Sequence, residues 1–190
     1  MLRHAFKEWA VICAALAQGH QAIILRKGGI ADEGGLFRPE HPRFWLYPTY
    51  VHQQQQGIKP EMQPLFEACQ RDAPAPGTVR LTHFAEISGV FHVAHLATAF
   101  LLDGLHGWSE ETVLKKFEYR TPGLYVLPVR IYQAKEATTL PVLPVYDGCK
   151  TWVELDRSLP TEGATPVLDD AAFAELLDRL EELLNPTMLA

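Results

Sequence analysis

Apolar residues near the start of the chain recur with a helical spacing. Phe6, Trp9, Cys13 and Leu16 fall at i, i+3, i+7 and i+10, with Ile12 widening the stripe. That spacing predicts an amphipathic helix over residues 4–18, stopped at Gly19. Residues 22–25 form a continuous apolar run, the pattern of a strand covered on both faces, and Gly28 and Gly29 end it. Residues 31–35 read as an exposed loop, and 44–47 as a second strand closed by Pro48. Residues 60–71 predict a short helix with Leu65, Phe66 and Cys69 inward, followed by the proline-rich connector 72–77. Residues 79–93 have strand character, broken or bulged at Ser88 and Gly89, and 95–105 read as an apolar helix.

Ser109 caps the next predicted helix. Glu110 and Glu111 stand in its first turn and Lys115 and Lys116 in its last, the charge order that a helix dipole favours. Residues 124–132 alternate as a strand, with Tyr125, Leu127, Val129 and Ile131 on one face. Pro128 lacks an N–H, so this strand is either an edge strand or bulged there. Further strands are expected at 139–143 and 150–155. Residues 158–167 read as a linker to an acidic amphipathic helix at 168–184, whose stripe is Phe173, Leu176, Leu177, Leu180, Leu183 and Leu184. That helix is either a lid on its own domain or a dimerisation element.

The order of elements lacks the strand–helix alternation of a doubly wound sheet. The expectation is an α+β fold with a mixed or mainly antiparallel sheet flanked by helices. Residues 1–157 would form the α+β domain, 158–167 the linker and 168–185 the C-terminal helix.

Composition narrows the functional classes. With 190 residues, 47% hydrophobic and 21% charged, the chain reads as an ordinary globular protein. No apolar run approaches the roughly 20 residues that span a bilayer, and no leader pattern opens the chain, so a cytoplasmic location is expected. Cys13, Cys69 and Cys149 are widely spaced, as free thiols in a reducing compartment are. The formal charge of −6 is uneven: the first 100 residues carry nine Lys and Arg against eight Asp and Glu, the rest eight against fifteen. Such acidity argues against a broad nucleic-acid-coating surface and leaves room for a local basic site in the first half.

Several chemistries can be set aside on spacing. The Arg26-Lys27-Gly28-Gly29 stretch has neither a dinucleotide fingerprint nor a Walker pattern; it is either a tight turn or a turn whose amides and cations hold an anion. His92 and His95 lie three apart with His83 nearby, but no Glu stands between them and no cysteine pair accompanies them, so no metal site is expected. No Asp/Glu-x-Lys triplet of a metal-dependent nuclease core occurs. Cys149 beside His52 or His83 would suit a thiolate nucleophile. Glu8, Glu86 and Glu154 are carboxylates within apolar elements, for which Arg26, Arg130 and the histidines are candidate partners.

Four ordered segments carry a resemblance: Lys7-Glu8-Trp9-Ala10, IILRKGGI at 23–30, FWLYPTYVHQ at 44–53, and YDGCKTWVEL at 146–155. Together they resemble the bacterial family known as domain of unknown function 1802, over roughly residues 5–157. The family is uncharacterised. Some members are associated with a restriction-endonuclease domain, which implies a part in restriction–modification or related DNA transactions. With no nuclease triplet in this chain, the resemblance implies an accessory or recognition role, and it supplies no catalytic residues.

The leading expectation is a module that binds nucleic acid or a phosphate-bearing small molecule. Arg26 and Lys27 would contact phosphate, Tyr47, Tyr50 and Trp152 would stack on bases, and His52 and Gln53 would hydrogen-bond their edges, with Thr49 a further binding residue. The first alternative is a small hydrolase with His52 or His83 as base, assisted by Glu86 or Cys149. The second is a protein-interaction scaffold, with a homo-oligomer formed through the C-terminal helix. No cofactor and no membrane partner are expected. The deciding geometry is whether the segments at 26–29, 47–53 and 146–152 converge on one concavity.

Overall fold

In the computed structural model, residues 1–27, 40–51, 53, 55–148 and 151–184 are described. The chain opens with a strand where helical spacing predicts a helix. β1 (Leu2–Trp9) lies between two partners, parallel to β3 (Arg43–Thr49) with Ala5 opposite Trp45, and antiparallel to β7 (Trp152–Leu159) with Ala5 opposite Val153. Ladders on both sides outweigh the helical spacing, because β1 faces apolar cores on both faces: Ala5 enters one, Phe6 the other. The helix is confined to α1 (Ala10–Ala17), buried nearly all round, and it ends before Gly19, whose φ of 72° suits a left-handed stop.

β2 (Ile23–Arg26) pairs antiparallel with β6 (Leu124–Pro141). β6 is one strand of 18 residues where the pattern suggested two. The apparent gap has a structural origin: along β4 (Thr78–Ile87), Leu81 pairs with Thr138 and His83 with Gln133, so 134–137 are the extra residues of an irregularity. β4 and β5 (Phe91–Val93) run as one interrupted track along β6, broken over 88–90 as expected.

Pro128 sits opposite that break. The Val129 N–H donates to Ala22 on the β2 side, so the N–H that Pro128 lacks would have pointed the other way, into the gap between β4 and β5. β6 is therefore an interior strand with its proline at a bulge. It is not an edge strand.

The strand order is β2-β6-β4-β3-β1-β7, with β5 and β8 (Thr165–Pro166) also pairing to β6. The fold is α+β with a mixed, mainly antiparallel sheet. The sheet curls: the Arg26 guanidinium at the end of β2 donates to Thr151 Oγ1, just before β7, at 3.1 Å, linking the two ends of the strand order.

One core lies between the sheet and the helices; the other is closed by Tyr146 in the β6–β7 connection. α2 (Gln63–Arg71) packs on α1, and α3 (Leu96–Leu101) on α4 (Glu110–Glu118). Ser109 caps α4 as its sequence predicts, its Oγ accepting the Thr112 N–H at 3.3 Å. α5 (Asp170–Leu184) buries Phe173 and Leu180 in its own chain, and the Arg130 guanidinium donates to Asp170 while lying over the Phe173 ring. Among the described residues no helix is long and apolar enough to cross a membrane.

Candidate functional site

β1 and β3 run parallel and finish together, Lys7 opposite Tyr47, Glu8 opposite Pro48 and Trp9 opposite Thr49. Where both strands leave the sheet, an open cleft of about 610 Å³ forms. Its lining includes Lys7, Glu8, Tyr47, Thr49, Tyr50, Tyr146, Asp147, Gly148 and Thr151. Strand ends hold such side chains rigidly while the connections leave them accessible.

Each wall is fixed by named bonds. The Lys7 ammonium donates to the Tyr146 carbonyl, and to the Gly148 carbonyl at 3.3 Å, holding the 146–148 turn over the cleft. Tyr47, 4% exposed, meets Tyr146 edge-on at 6.3 Å. Burial, helped by Tyr146 and Asp147, pushes its phenol pKa up to about 12, so Tyr47 is a neutral hydroxyl at any physiological pH. Thr49 Oγ1 donates to the Glu8 carbonyl at 3.0 Å, pinning the two strand ends together. Glu8 Oε1 accepts the Trp9 N–H at 2.8 Å.

Arg26, at the end of β2, reaches one residue of that lining. Its guanidinium bonds to Thr151 of the cleft and lies 5.0 Å from the centroid of the Phe6 ring. Burial lowers its pKa and the Glu8 carboxylate opposes that shift. Among the described residues Arg26 makes no ion pair.

The other expected residues divide. Lys27, next to Arg26, turns away: its ammonium donates to the carbonyls of Phe117 at 2.7 Å and Gly123 at 2.8 Å, and to that of Thr121. It closes the C-terminal end of α4. Trp152 is half-buried and packed edge-on against Phe6, Phe44 and His41, each at 5.1 Å. Gln53 Oε1 accepts the Val11 N–H at 2.9 Å, capping α1, while its buried Nε2 has no partner among the described residues. Tyr50 lines this cleft and a second one of about 440 Å³ between α1, α2 and the sheet.

His83 belongs to that second cleft, where its Nδ1 and Thr82 Oγ1 are 2.8 Å apart, and burial lowers its pKa. Glu86 lies three residues further along β4, hence on the opposite face, where it pairs with Arg43 at 4.0 Å. A hydrolase pair of His83 and Glu86 is thus not assembled. His52 and Cys149, with Gly28 and Gly29, lie outside the described residues. Among the described residues, no group of three or more His, Cys, Asp or Glu could hold a metal.

The strand ends carry residues that the sequence pattern did not single out as binding groups. Lys7 and Thr151 line the cleft. Outside that lining, on α4, the Lys116 ammonium lies 4.4 Å from the centroid of Trp108, a residue only 2% exposed, and Trp108 meets Trp9 at 4.9 Å. Burial pulls the Lys116 pKa down, Glu8 holds it up and Arg26 pushes it down. Val113 and Phe117 of α4 are buried, so the i+3 spacing from Val113 carried the signal for an inward Lys116.

The model of the family described as Domain of unknown function (DUF1802) matches residues 5–179. That span takes in β7, β8 and most of α5. No curated protein matches the chain. Crystal structures of ASCH from Zymomonas mobilis are similar at 14% identity: one mutant protein with 93% of this chain and 94% of that chain covered and a TM-score of 0.44, and a second structure, of ASCH itself, with 92% and 93% covered and a TM-score of 0.42.

Proposed function

The chain belongs to the family described as domain of unknown function (DUF1802), and we propose that it is an anion-binding module that holds a nucleotide or nucleic-acid phosphate in the cleft between β1, β3 and β7. The observation that carries this reading is Arg26, a half-buried guanidinium with one hydroxyl partner, Thr151, and no ion pair among the described residues. A cation partly withdrawn from water favours an anionic partner, because burial penalises its charge. A phosphate supplies that partner, and arginine recognises phosphate oxygens in a bidentate manner.

In this reading Thr151 orients the guanidinium, the Tyr47 hydroxyl offers a neutral hydrogen-bonding group, and Tyr50 at the rim stacks on a base. The net charge of −6 agrees with a local site rather than a long basic groove. The association of some family members with a restriction-endonuclease domain, which the resemblance implies, makes DNA a first ligand to try, with an accessory role in restriction–modification as the proposed setting.

Fluorescence anisotropy with short labelled DNA and RNA at low salt, and competition by mononucleotides, tests the proposal. Arg26→Ala is expected to weaken binding at least about tenfold, the equivalent of roughly 1.4 kcal/mol. Binding that survives Arg26→Ala unchanged, or no binding of any of these ligands at low salt, would overturn it.

A further inference from the structure

We infer that the second cleft, between α1, α2 and β4, receives the base of the nucleotide whose phosphate the first cleft holds, with Tyr50 on the ridge between them. This rests on the reading of the first cleft as a phosphate site and gives a role to the second, which that reading leaves unused.

A slip in β4 builds the polar wall. Val79, Leu81 and Phe84 all enter the core closed by Tyr146, although Leu81 and Phe84 are three residues apart. The alternation of the strand therefore shifts at Thr82 and His83, where its pairing with β6 also shifts. A regular strand sends two successive side chains to opposite faces. Here both line the second cleft, together with Arg80. The His83 Nδ1 and the Thr82 Oγ1 are 2.8 Å apart, so the hydroxyl holds the ring and leaves Nε2 as its remaining hydrogen-bonding atom.

The facing wall is apolar and stands off. α2 packs on α1, yet none of its residues is fully buried. Leu65, Ala68 and Cys69 line the cleft from α2, and Ala14 and Ala17 from α1, all of them half-buried. Short side chains opposite a strand leave the cleft of about 440 Å³ wide enough for a flat ring.

The charges in this lining cancel: it carries one cation, Arg80, and one carboxylate, Asp72, while burial lowers the His83 pKa and favours the neutral imidazole. Apolar walls with a few fixed hydrogen-bonding groups suit an uncharged planar heterocycle with donors and acceptors on its edge, which describes a nucleobase. Adjacency supplies the link. Pro48 and Tyr50 line both clefts, so a nucleotide with its phosphate in the first passes its base over Tyr50 into the second.

The test uses the unaltered protein and sets ribose 5-phosphate against the four nucleoside 5′-monophosphates and their nucleosides. Calorimetry reads binding, and peptide mapping after iodoacetamide reads alkylation of Cys69, a free, half-exposed thiol in the lining of the second cleft. At least one monophosphate is expected to bind at least about tenfold tighter than ribose 5-phosphate and to slow Cys69 alkylation several-fold. Saturating ribose 5-phosphate should leave that rate unchanged. Ala68 lines the second cleft and not the first, so Ala68→Leu should bring the monophosphate's affinity down toward that of ribose 5-phosphate. Ribose 5-phosphate and all four monophosphates binding alike, and all lost in Arg26→Ala, would overturn the inference and leave the anion-binding reading standing. A gain from the base that leaves Cys69 unprotected, or that Ala68→Leu leaves intact, would also overturn it. Nucleosides that protect Cys69 as well as their monophosphates do, with Arg26→Ala without effect, would keep the base pocket and remove the phosphate reading. No binding of any ligand would remove both. Should Ala68→Leu fail to fold, the alkylation rates of the unaltered protein decide alone.

Discussion

The Lys27 ammonium donates to the Phe117 carbonyl at 2.7 Å, joining the end of β2 to the last turn of α4. A cation at a helix C-terminus meets both the unsatisfied carbonyls and the negative end of the helix dipole. Lys27→Met keeps the stem and removes these charge-assisted bonds, so it should cost roughly 1–3 kcal/mol of stability. Urea unfolding measures that loss. Phosphate-ligand affinity should fall less in Lys27→Met than in Arg26→Ala, which separates two cations adjacent in sequence. A larger binding loss in Lys27→Met would return Lys27 to the site.

His106 sets an acid limit on the fold. It is 6% exposed, its Nδ1 accepts the Trp108 N–H at 3.2 Å, and its Nε2 has no partner among the described residues. Burial first, with Lys59 and more weakly Lys116 adding to it against Asp103, lowers its pKa to about 4. The folded state therefore keeps His106 neutral while the unfolded chain takes up a proton as pH falls through about 6.5. Between those values the unfolded state binds more protons, so this contribution is intact above pH 6.5 and is lost progressively toward pH 4. A gap of that size corresponds to about 3 kcal/mol. Urea midpoints at pH 7 and pH 4.5 should fall apart in the native protein and draw closer in His106→Gln, which keeps an acceptor for the Trp108 N–H. Equal pH dependence in both proteins would rule the explanation out.

Much of this was legible from residue order, and the failures have physical causes. Ser109, with its acids before and bases after, specifies α4 through local bonds alone, and it appears where its sequence places it. Pro128 announced an irregularity because a missing N–H must be accommodated, but only the position of β4 decided between edge and bulge. Phe6 and Trp9 gave a false helical stripe because β1 is covered on both faces and so lacks the alternation that marks a one-sided strand. In the site, Tyr47, Thr49 and Arg26 were legible as polar groups at the ends of apolar runs. Lys27 and Lys116 were not, because which neighbour a long cationic stem reaches is a tertiary fact. Arg26 and Lys27 differ by one position yet reach a cleft hydroxyl and a helix end.

α5 tests how far the C-terminal segment belongs to the core. Leu180 is fully buried, and its cluster includes residues of α1, β2 and β6. Leu180→Ala should cost about 2–5 kcal/mol by lost transfer energy and cavity formation. Scanning calorimetry should show one lowered transition for the whole chain if α5 unfolds with the sheet. An unshifted main transition, or a separate early one, would show that α5 melts independently.

Two glycines give a last, paired prediction. A Cβ added at Gly57 would lie 2.8 Å from the Trp9 ring, which meets Trp108, the ring under Lys116. Gly57→Ala must therefore push the indole, and overpacking of this kind costs roughly 1–3 kcal/mol. At Gly77 an added Cβ meets nothing within 4 Å, but its φ of +76° is a left-handed conformation that costs a side-chain-bearing residue roughly 1–2 kcal/mol. The two variants should lose comparable stability for different reasons. Only Gly57→Ala displaces the Trp9–Trp108 pair, so only it should shift the tryptophan fluorescence of the folded protein. Identical emission spectra in Gly57→Ala and Gly77→Ala would mean that the added methyl is absorbed without moving the Trp9 indole.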